Sequence, residues 1–293
     1  MSTKHPIIVI TGASGAGTTS VMKTFEAIFN REKVKAAFVE GDAFHKYDRA
    51  QMRERMQEEM AKGNYSFSHF GAEANLFPEL EKLFKTYGET GTGKHRKYLH
   101  NAEEAAPYNQ EPGTFSDWED LPEGTDLLFY EGLHGAVKTN DVDVASHVDL
   151  LIGVVPVINL EWIQKLHRDS ASRGHSSEAV TDTILRRMPD YVNYITPQFS
   201  QTHVNFQRVP VVDTSNPFVS TTIPNADESM LVIRFANPRG IDFPYLLSML
   251  DGSHMSRANT IVCPGGKMAL AMQLIFTPMI WRIVENAKKA RNR

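Results

Sequence analysis

Apolar and polar positions fall in blocks along the chain, and the block period changes from one to the next. Residues 6–11 (PIIVIT) are an unbroken apolar run, the pattern of a strand covered on both faces in a parallel sheet. Glycines follow at once, and residues 18–29 then place Val21, Phe25 and Ile28 on one helical face. A short apolar strand at 35–39 ends on Glu40-Gly41-Asp42. Helical patterns at 48–61 and 74–87 precede a stretch, 88–118, rich in Gly, His, Asn and Pro, which reads as a hairpin or irregular insertion. Apolar strands recur at 126–130 and 147–155, polar helices at 160–172 and 177–188, late strands at 204–212 and 230–235, and a long closing helix at 268–289. Strands alternating with helices predict an α/β fold, a mainly parallel sheet covered by helices and made mixed by its late strands. No strong linker interrupts the 293 residues. The expectation is a single domain carrying an inserted substrate segment near 88–118, a lid near 160–190 and a C-terminal extension over 200–293.

Composition narrows the partners. A formal charge of −4 gives no general attraction to nucleic acid or anionic membrane, so neither is expected, and a phosphate site must be a local cluster of basic residues. Cys263 is the single cysteine, which excludes an intrachain disulfide and suits a cytoplasmic protein. The opening apolar run is too short to span a membrane and lacks a cleavage site, and is read as a buried first strand.

Candidate chemistry begins at residues 12–19, GASGAGTT, between a strand and a helix. That is the setting of the P-loop pattern G-x(4)-G-K-[ST], whose backbone N–H groups and helix N-terminus hold phosphate oxygens. Gly12, Ala13, Ser14, Gly15, Ala16, Gly17, Thr18, Thr19 and Ser20 are the expected ATP-binding residues, with the Thr19 hydroxyl a ligand of Mg²⁺. Thr18 stands where the pattern has lysine. Either the loop only senses a nucleotide, or a kinase draws its lysine from elsewhere.

Two acids fall at strand ends, where ligands gather in such sheets. Asp42 follows the second strand, and Glu131 closes the strand 126–130, the position of an acid that serves Mg²⁺. If residues 42–49 turn helically, Asp42, His45 and Arg49 share one face, suited to a hydroxyl to be deprotonated and an anionic group to be held. His134, three residues past Glu131, is a further substrate-side candidate. In KLHRDSASRGH, Lys165, Asp169 and Arg173 are spaced four apart, with Arg168 beside them and Gly174 as a hinge. Such a helix can close over ATP and meet γ-phosphate charge in the transition state, and Lys165 can replace the lysine missing at Thr18.

The segments GASGAGTTS at 12–20, EGDAFH at 40–45, YEGLHG at 130–135 and KLHRDSASRGH at 165–175, in this order, resemble the phosphoribulokinases of the bacterial type over nearly the whole chain. The last segment is also similar to the lid of uridine kinases. The resemblance implies a P-loop kinase fold and ATP-dependent phosphorylation of the C1 hydroxyl of ribulose 5-phosphate, giving the CO₂ acceptor of the Calvin cycle. By the same resemblance, Asp42 is the base and Glu131 the acid serving Mg²⁺. His45, Arg49 and Arg173 hold the sugar phosphate, and Lys165, Arg168 and Asp169 work at the transfer centre. It further implies a homo-oligomer activated by NADH. The single cysteine rules out the intrachain redox switch of plant members. Arg31, Arg234, Arg239 and Arg257 have no role in the transfer and are candidates for the effector site; Arg234, within LVIRF, is expected to be a buried strand charge in need of a partner. The competing readings are a uridine-kinase-like nucleoside kinase, against which Arg49 speaks, and a silent nucleotide-binding regulator, against which the set Asp42, Glu131 and Asp169 speaks.

Overall fold

A computed structural model of the chain describes residues 4–12, 18–173 and 176–292. In chain order the elements are β1 (Ile7–Gly12), α1 (Thr18–Glu32), β2 (Ala36–Glu40), α2 (Arg49–Ala61), α3 (Phe77–Thr90), β3 (Lys94–His95), α4 (Ala102–Ala105), β4 (Glu119–Asp120) and β5 (Leu127–Gly132). There follow β6 (Leu150–Val155), α5 (Ile158–Arg173), α6 (Ser177–Arg186), α7 (Met188–Asp190), β7 (Val204–Pro210), β8 (Ser229–Phe235), α8 (Phe243–Met249), β9 (His254–Arg257), β10 (Thr260–Pro264) and α9 (Met268–Arg291).

Eight strands form one sheet in the order β2-β5-β1-β6-β7-β8-β10-β9. The first five are parallel, and β8, β10 and β9 join antiparallel, so the sheet is mixed as expected. β1 is central and buried along its length because both of its faces are covered. Ile8 and Ile10 point into a cluster with Phe25 of α1 and Phe276 of α9, while Ile7 and Val9 face Leu80 and Phe84 of α3. Two-sided burial is the physical reason the run shows no alternation. On the first face the rings of Phe129 and Phe276 lie 5.1 and 5.3 Å from that of Phe25. Residues 265–291 are long and apolar enough, by length and composition, to cross a membrane. Their buried side chains from Ala271 to Val284 pack in this core.

Several boundaries differ from the sequence pattern. The stretch 42–49 is not one helix: Gly41–Phe44 is a single 3₁₀ turn, His45 is extended, and α2 starts afresh at Arg49. Asp48 fixes that start. Its carboxylate accepts from Gln51 N, and the Gln51 side chain accepts from Asp48 N, a capping box. Asp42, His45 and Arg49 therefore do not share a helical face. α3 begins at Phe77, because Ala72–Ala74 forms a separate turn and Pro78 suits the first turn of a helix. The β9–β10 hairpin was not visible in the pattern, since HMSR carries no apolar alternation.

The buried charge expected at Arg234 is also corrected. Ile233 and Phe235 face the core and Arg234 between them is exposed, because that part of β8 is covered on one face. Arg234 pairs in register with Thr260 and lies on the face turned away from α1 and α9, and Arg257, paired with Thr260 beside a register shift, is exposed on the edge strand β9. Arg31 is on the other side of the sheet, where its guanidinium bonds Glu32 and reaches Gln273 and Thr277 of α9. Arg239 is exposed in the loop after β8.

Candidate active site

The carboxyl ends of β2, β5 and β1 open onto a cleft of about 200 Å³, lined by Gly12, Glu40, Gly41, Asp42, His100, Glu131, Gly132 and Leu133. Two glycines make its floor possible. A Cβ on Gly41 would stand 2.8 Å from Gly132 Cα, and one on Gly132 would stand 2.6 Å from Gly41 Cα. The turn carrying Asp42 can thus lie directly against the end of β5. Glu40 and Glu131 are register partners on adjacent parallel strands, so their side chains leave the sheet on the same side. The Glu40 carboxyl is raised by burial and by the like charge of Asp42, against the pull of His100.

Asp42 is surrounded by histidines. His45 Nε2 lies 3.3 Å and His100 Nε2 3.8 Å from its carboxylate oxygens, and 42% of the Asp42 side chain stays open to the cleft. Burial alone would raise this carboxyl, but the His45 contact, with the charges of His45 and His100, outweighs it and holds the group below the usual carboxylate range. Asp42 is ionised throughout the neutral range and can accept a proton. His45 itself is fixed from behind. Its Nδ1 meets Asn75 Oδ1 at 2.8 Å, while the Asn75 amide donates to the carbonyls of His69 and Gly71. With the amide hydrogens so engaged, Asn75 Oδ1 is the acceptor and His45 Nδ1 the donor, which turns Nε2 to Asp42.

The segment 88–118 folds back over this turn. Arg96, its guanidinium 3.6 Å from the Phe115 ring centroid, donates to Ala43 O at 2.8 Å and His45 O at 2.7 Å. Burial brings its pKa down to about 10, so it stays charged and braces the turn. Arg49 donates to His100 O at 3.0 Å and packs on Gly113, where a Cβ would stand 2.8 Å from Arg49 Cβ. Arg49 is thereby placed beside His100, at the cleft's edge. His134 is elsewhere. It is buried behind the cleft, its Nε2 donating to Phe70 O at 2.9 Å and its ring against Phe77, and burial lowers its pKa to about 3. A neutral ring bonded in this way supports the wall, and it is the neighbouring Leu133 that lines the cleft.

A second cluster lies on α5. Lys165 Nζ meets Asp169 Oδ2 at 2.6 Å and Arg168 Nε meets Asp169 Oδ1 at 3.0 Å. Asp169 is buried, which raises its carboxyl, yet the two cations prevail and hold it below its ordinary value. Lys165 is lowered, by burial first and then by the nearby Arg187. Burial first, then His45 and Arg187, lower His69, whose ring lies 4.5 Å from that of His45, so one guanidinium faces both clusters. Lys165, Arg168 and Asp169 are thus gathered together, apart from the described lining of the cleft. Ala13 to Gly17 and the hinge Gly174 lie outside the described residues, as do the side chains of Thr18, Thr19, Ser20 and Arg173.

The sequence model of the phosphoribulokinase / uridine kinase family matches residues 7–215, which span the cleft, the insertion and α5. The chain belongs to this family. Within it, phosphoribulokinases resemble the chain from end to end. The chromosomal phosphoribulokinase of Cupriavidus necator is 71% identical over 99% of both chains, and that of Nitrobacter vulgaris is 68% identical over 99% of this chain and all of the other. A solved phosphoribulokinase from Rhodobacter spheroides, 60% identical, superposes with a TM-score of 0.91 over 98% of this chain and 100% of the other. The fold is accordingly that of the P-loop kinases. Family membership agrees with the order of the four motifs. It does not by itself point to the residues that sequence reasoning missed: Glu40, Arg96, His100 and Arg187. His100 and Arg96 sit in an insertion whose composition signals irregular structure and no particular position.

Proposed function

We infer that the chain transfers the γ-phosphoryl group of ATP to the C1 hydroxyl of ribulose 5-phosphate, releasing ADP and ribulose 1,5-bisphosphate for the Calvin cycle. The observation that carries this reading is an ionised Asp42, backed by His45 and His100, opening into a cleft that begins at Gly12 and the P-loop sequence. A nucleotide sensor has no use for such a base.

In the proposed step Asp42 accepts the C1 hydroxyl proton as the O1–Pγ bond forms and the bond from Pγ to the β-phosphate bridging oxygen breaks. The proton then passes to solvent and ADP carries away the electron pair of the broken bond. Gly12 and the N-terminus of α1 receive the nucleotide phosphates. Glu131, with the Thr19 hydroxyl, would hold Mg²⁺; oxygen donors at the ends of β2 and β5 fit a hard cation. When bound, the ion neutralises charge between the β- and γ-phosphates. Lys165 and Arg168 neutralise charge on the transferring group once α5 closes, which makes residues 160–190 the lid, 88–118 the substrate segment and 200–293 the C-terminal extension of one domain. Arg49, His45 and Arg173 hold the 5-phosphate, and His134 supports the wall beside them. ADP release measured with ribulose 5-phosphate, with uridine and with no acceptor tests the assignment: only the first should turn over, and turnover with uridine would make the chain a nucleoside kinase.

Arg49→Ala should weaken the sugar phosphate and spare ATP. A charge-assisted contact to phosphate is worth about 1.5–3 kcal/mol, or roughly a ten- to hundred-fold rise in KM. Steady-state kinetics with each substrate varied in turn checks this, and equal weakening of both would assign Arg49 to lid closure.

The protein is read as a cytoplasmic homo-oligomer regulated by NADH. Support comes from the resemblance and from Arg234 and Arg257, both exposed, on the two strands that flank β10. Arg31, on the side of the sheet opposite Arg234, can join it only through a second subunit. Arg234→Ala is expected to keep basal activity and lose activation by NADH; a variant still fully activated, or a wild-type rate flat across NADH concentrations, contradicts the assignment.

A further inference from the structure

Glu161 stands one helical turn before Lys165 on α5, and it is buried with 6% of its surface exposed. Its carboxylate accepts a hydrogen bond of 3.0 Å from the hydroxyl of Tyr191. Tyr191 is itself buried and opens the wide π turn Tyr191–Ile195, a rare form of helix that is frequent at functional sites. Tyr191 and Ile195 form a buried cluster against which Phe70, Leu133 and Phe199 pack, the Phe70 ring 5.9 Å from that of Tyr191. Leu133 lines the cleft directly after Glu131 and Gly132. A continuous path therefore runs from the cleft wall through Leu133, Tyr191 and Glu161 to the helix that carries Lys165, Arg168 and Asp169. An apolar pair would pack this junction as well and avoid burying a carboxyl. A directional O–H···O bond does something an apolar pair does not, which is to fix how far α5 is advanced and rotated against the wall.

We propose that Glu161 and Tyr191 are a positioning pair that sets the register of Lys165 and Asp169 against the cleft, so that α5 delivers its cations to the transferring phosphoryl group. The proposal rests on the phosphotransfer reading above. The groups facing the Glu161 carboxyl are Tyr191 from the π turn and Lys165 and Arg168 from its own helix. Burial, the largest influence, outweighs all three and lifts its pKa to about 7. Glu161 therefore gains its negative charge as pH rises through neutrality, one turn from a Lys165 whose own charge is disfavoured by burial and by Arg187.

Two conservative variants separate this role from a merely structural one. Glu161→Gln can still accept from Tyr191 but never ionises. Because the folded pKa of Glu161 lies above its usual value, the stability it contributes is present in acid and lost as pH rises through about 7, so at pH 8 the Gln variant should melt higher than wild type. Activity should move the other way: the ratio of variant to wild-type kcat is expected near one at pH 6 and to fall about ten-fold by pH 8. Tyr191→Phe keeps the ring and removes the hydrogen bond. It should lower kcat about ten-fold or more at either pH, with KM for ATP and for ribulose 5-phosphate within about two-fold of wild type. If both variants change melting temperature while kcat and its pH ratio follow wild type, the positioning role is overturned. A wild-type enzyme that does not phosphorylate ribulose 5-phosphate would instead refute the functional assignment on which the proposal depends.

Discussion

Asp42→Asn is expected to leave nucleotide binding intact and to lower kcat by at least about 10²–10⁴-fold, the usual contribution of a positioned general base. The substitution is nearly isosteric. Its amide oxygen can still meet His45 Nε2, and Asn75 and Arg96 hold the turn from behind through His45 and through the carbonyls of Ala43 and His45. What is lost is the ability to take a proton, in a carboxylate that its histidine neighbours keep ionised. Measuring kcat together with ATP binding in the same preparation decides the matter. Near-normal turnover would move the base role to Asp169, which two cations also hold as a carboxylate.

Lys165→Met should lower kcat by about 10²–10³-fold, the cost of removing one preorganised electrostatic contact in a transition state, and raise the KM for sugar phosphate far less. The ammonium is held on α5 by Asp169 at 2.6 Å and is only partly exposed, so it is oriented before any substrate arrives. Methionine matches its aliphatic stem, and Arg168 remains beside Asp169 at 3.0 Å, which limits the structural damage from losing one partner of a buried carboxylate. Full steady-state kinetics with both substrates separates the two effects. If kcat and both KM values stay close to wild type, Lys165 is a structural helix lysine, and the threonine at position 18 has no compensation on α5.

The features legible in the sequence are those whose physics is local. β1, β5 and β6 were readable because burial on both faces turns a strand into an unbroken apolar run. Asp42 and Glu131 were readable because an acid that ends such a run falls where a parallel sheet gathers its ligands. The ladder on α5 followed from the four-residue spacing of Lys165 and Asp169. Residues brought in by long-range contacts were not legible. His100 reaches Asp42 only because Arg96 ties the insertion to a turn fifty residues earlier and Arg49 holds the His100 carbonyl. Glu161 looks like any solvated helix acid until Tyr191, thirty residues on, is placed over it. The error at Arg234 has a different origin. The alternation of Ile233, Arg234 and Phe235 already implied a one-sided strand, but whether the second face is covered depends on helices distant in sequence. Likewise, the shared face expected for Asp42, His45 and Arg49 gave way to the capping box at Asp48. The contact between Asp42 and His45 survived because a 3₁₀ turn also brings residues i and i+3 together.

In the proposed reaction this cleft joins the γ-phosphate of ATP to the oxygen on the first carbon of ribulose 5-phosphate. The most direct measurement follows the phosphorus atoms themselves, by ³¹P NMR of wild-type enzyme with Mg²⁺, ATP and ribulose 5-phosphate. One ADP should form per sugar consumed, with a single product that shows two phosphomonoester signals, one of them coupled to the protons on carbon 1. Hydrolysis to inorganic phosphate without a new sugar ester, or a phosphoryl group on any other hydroxyl, would contradict it.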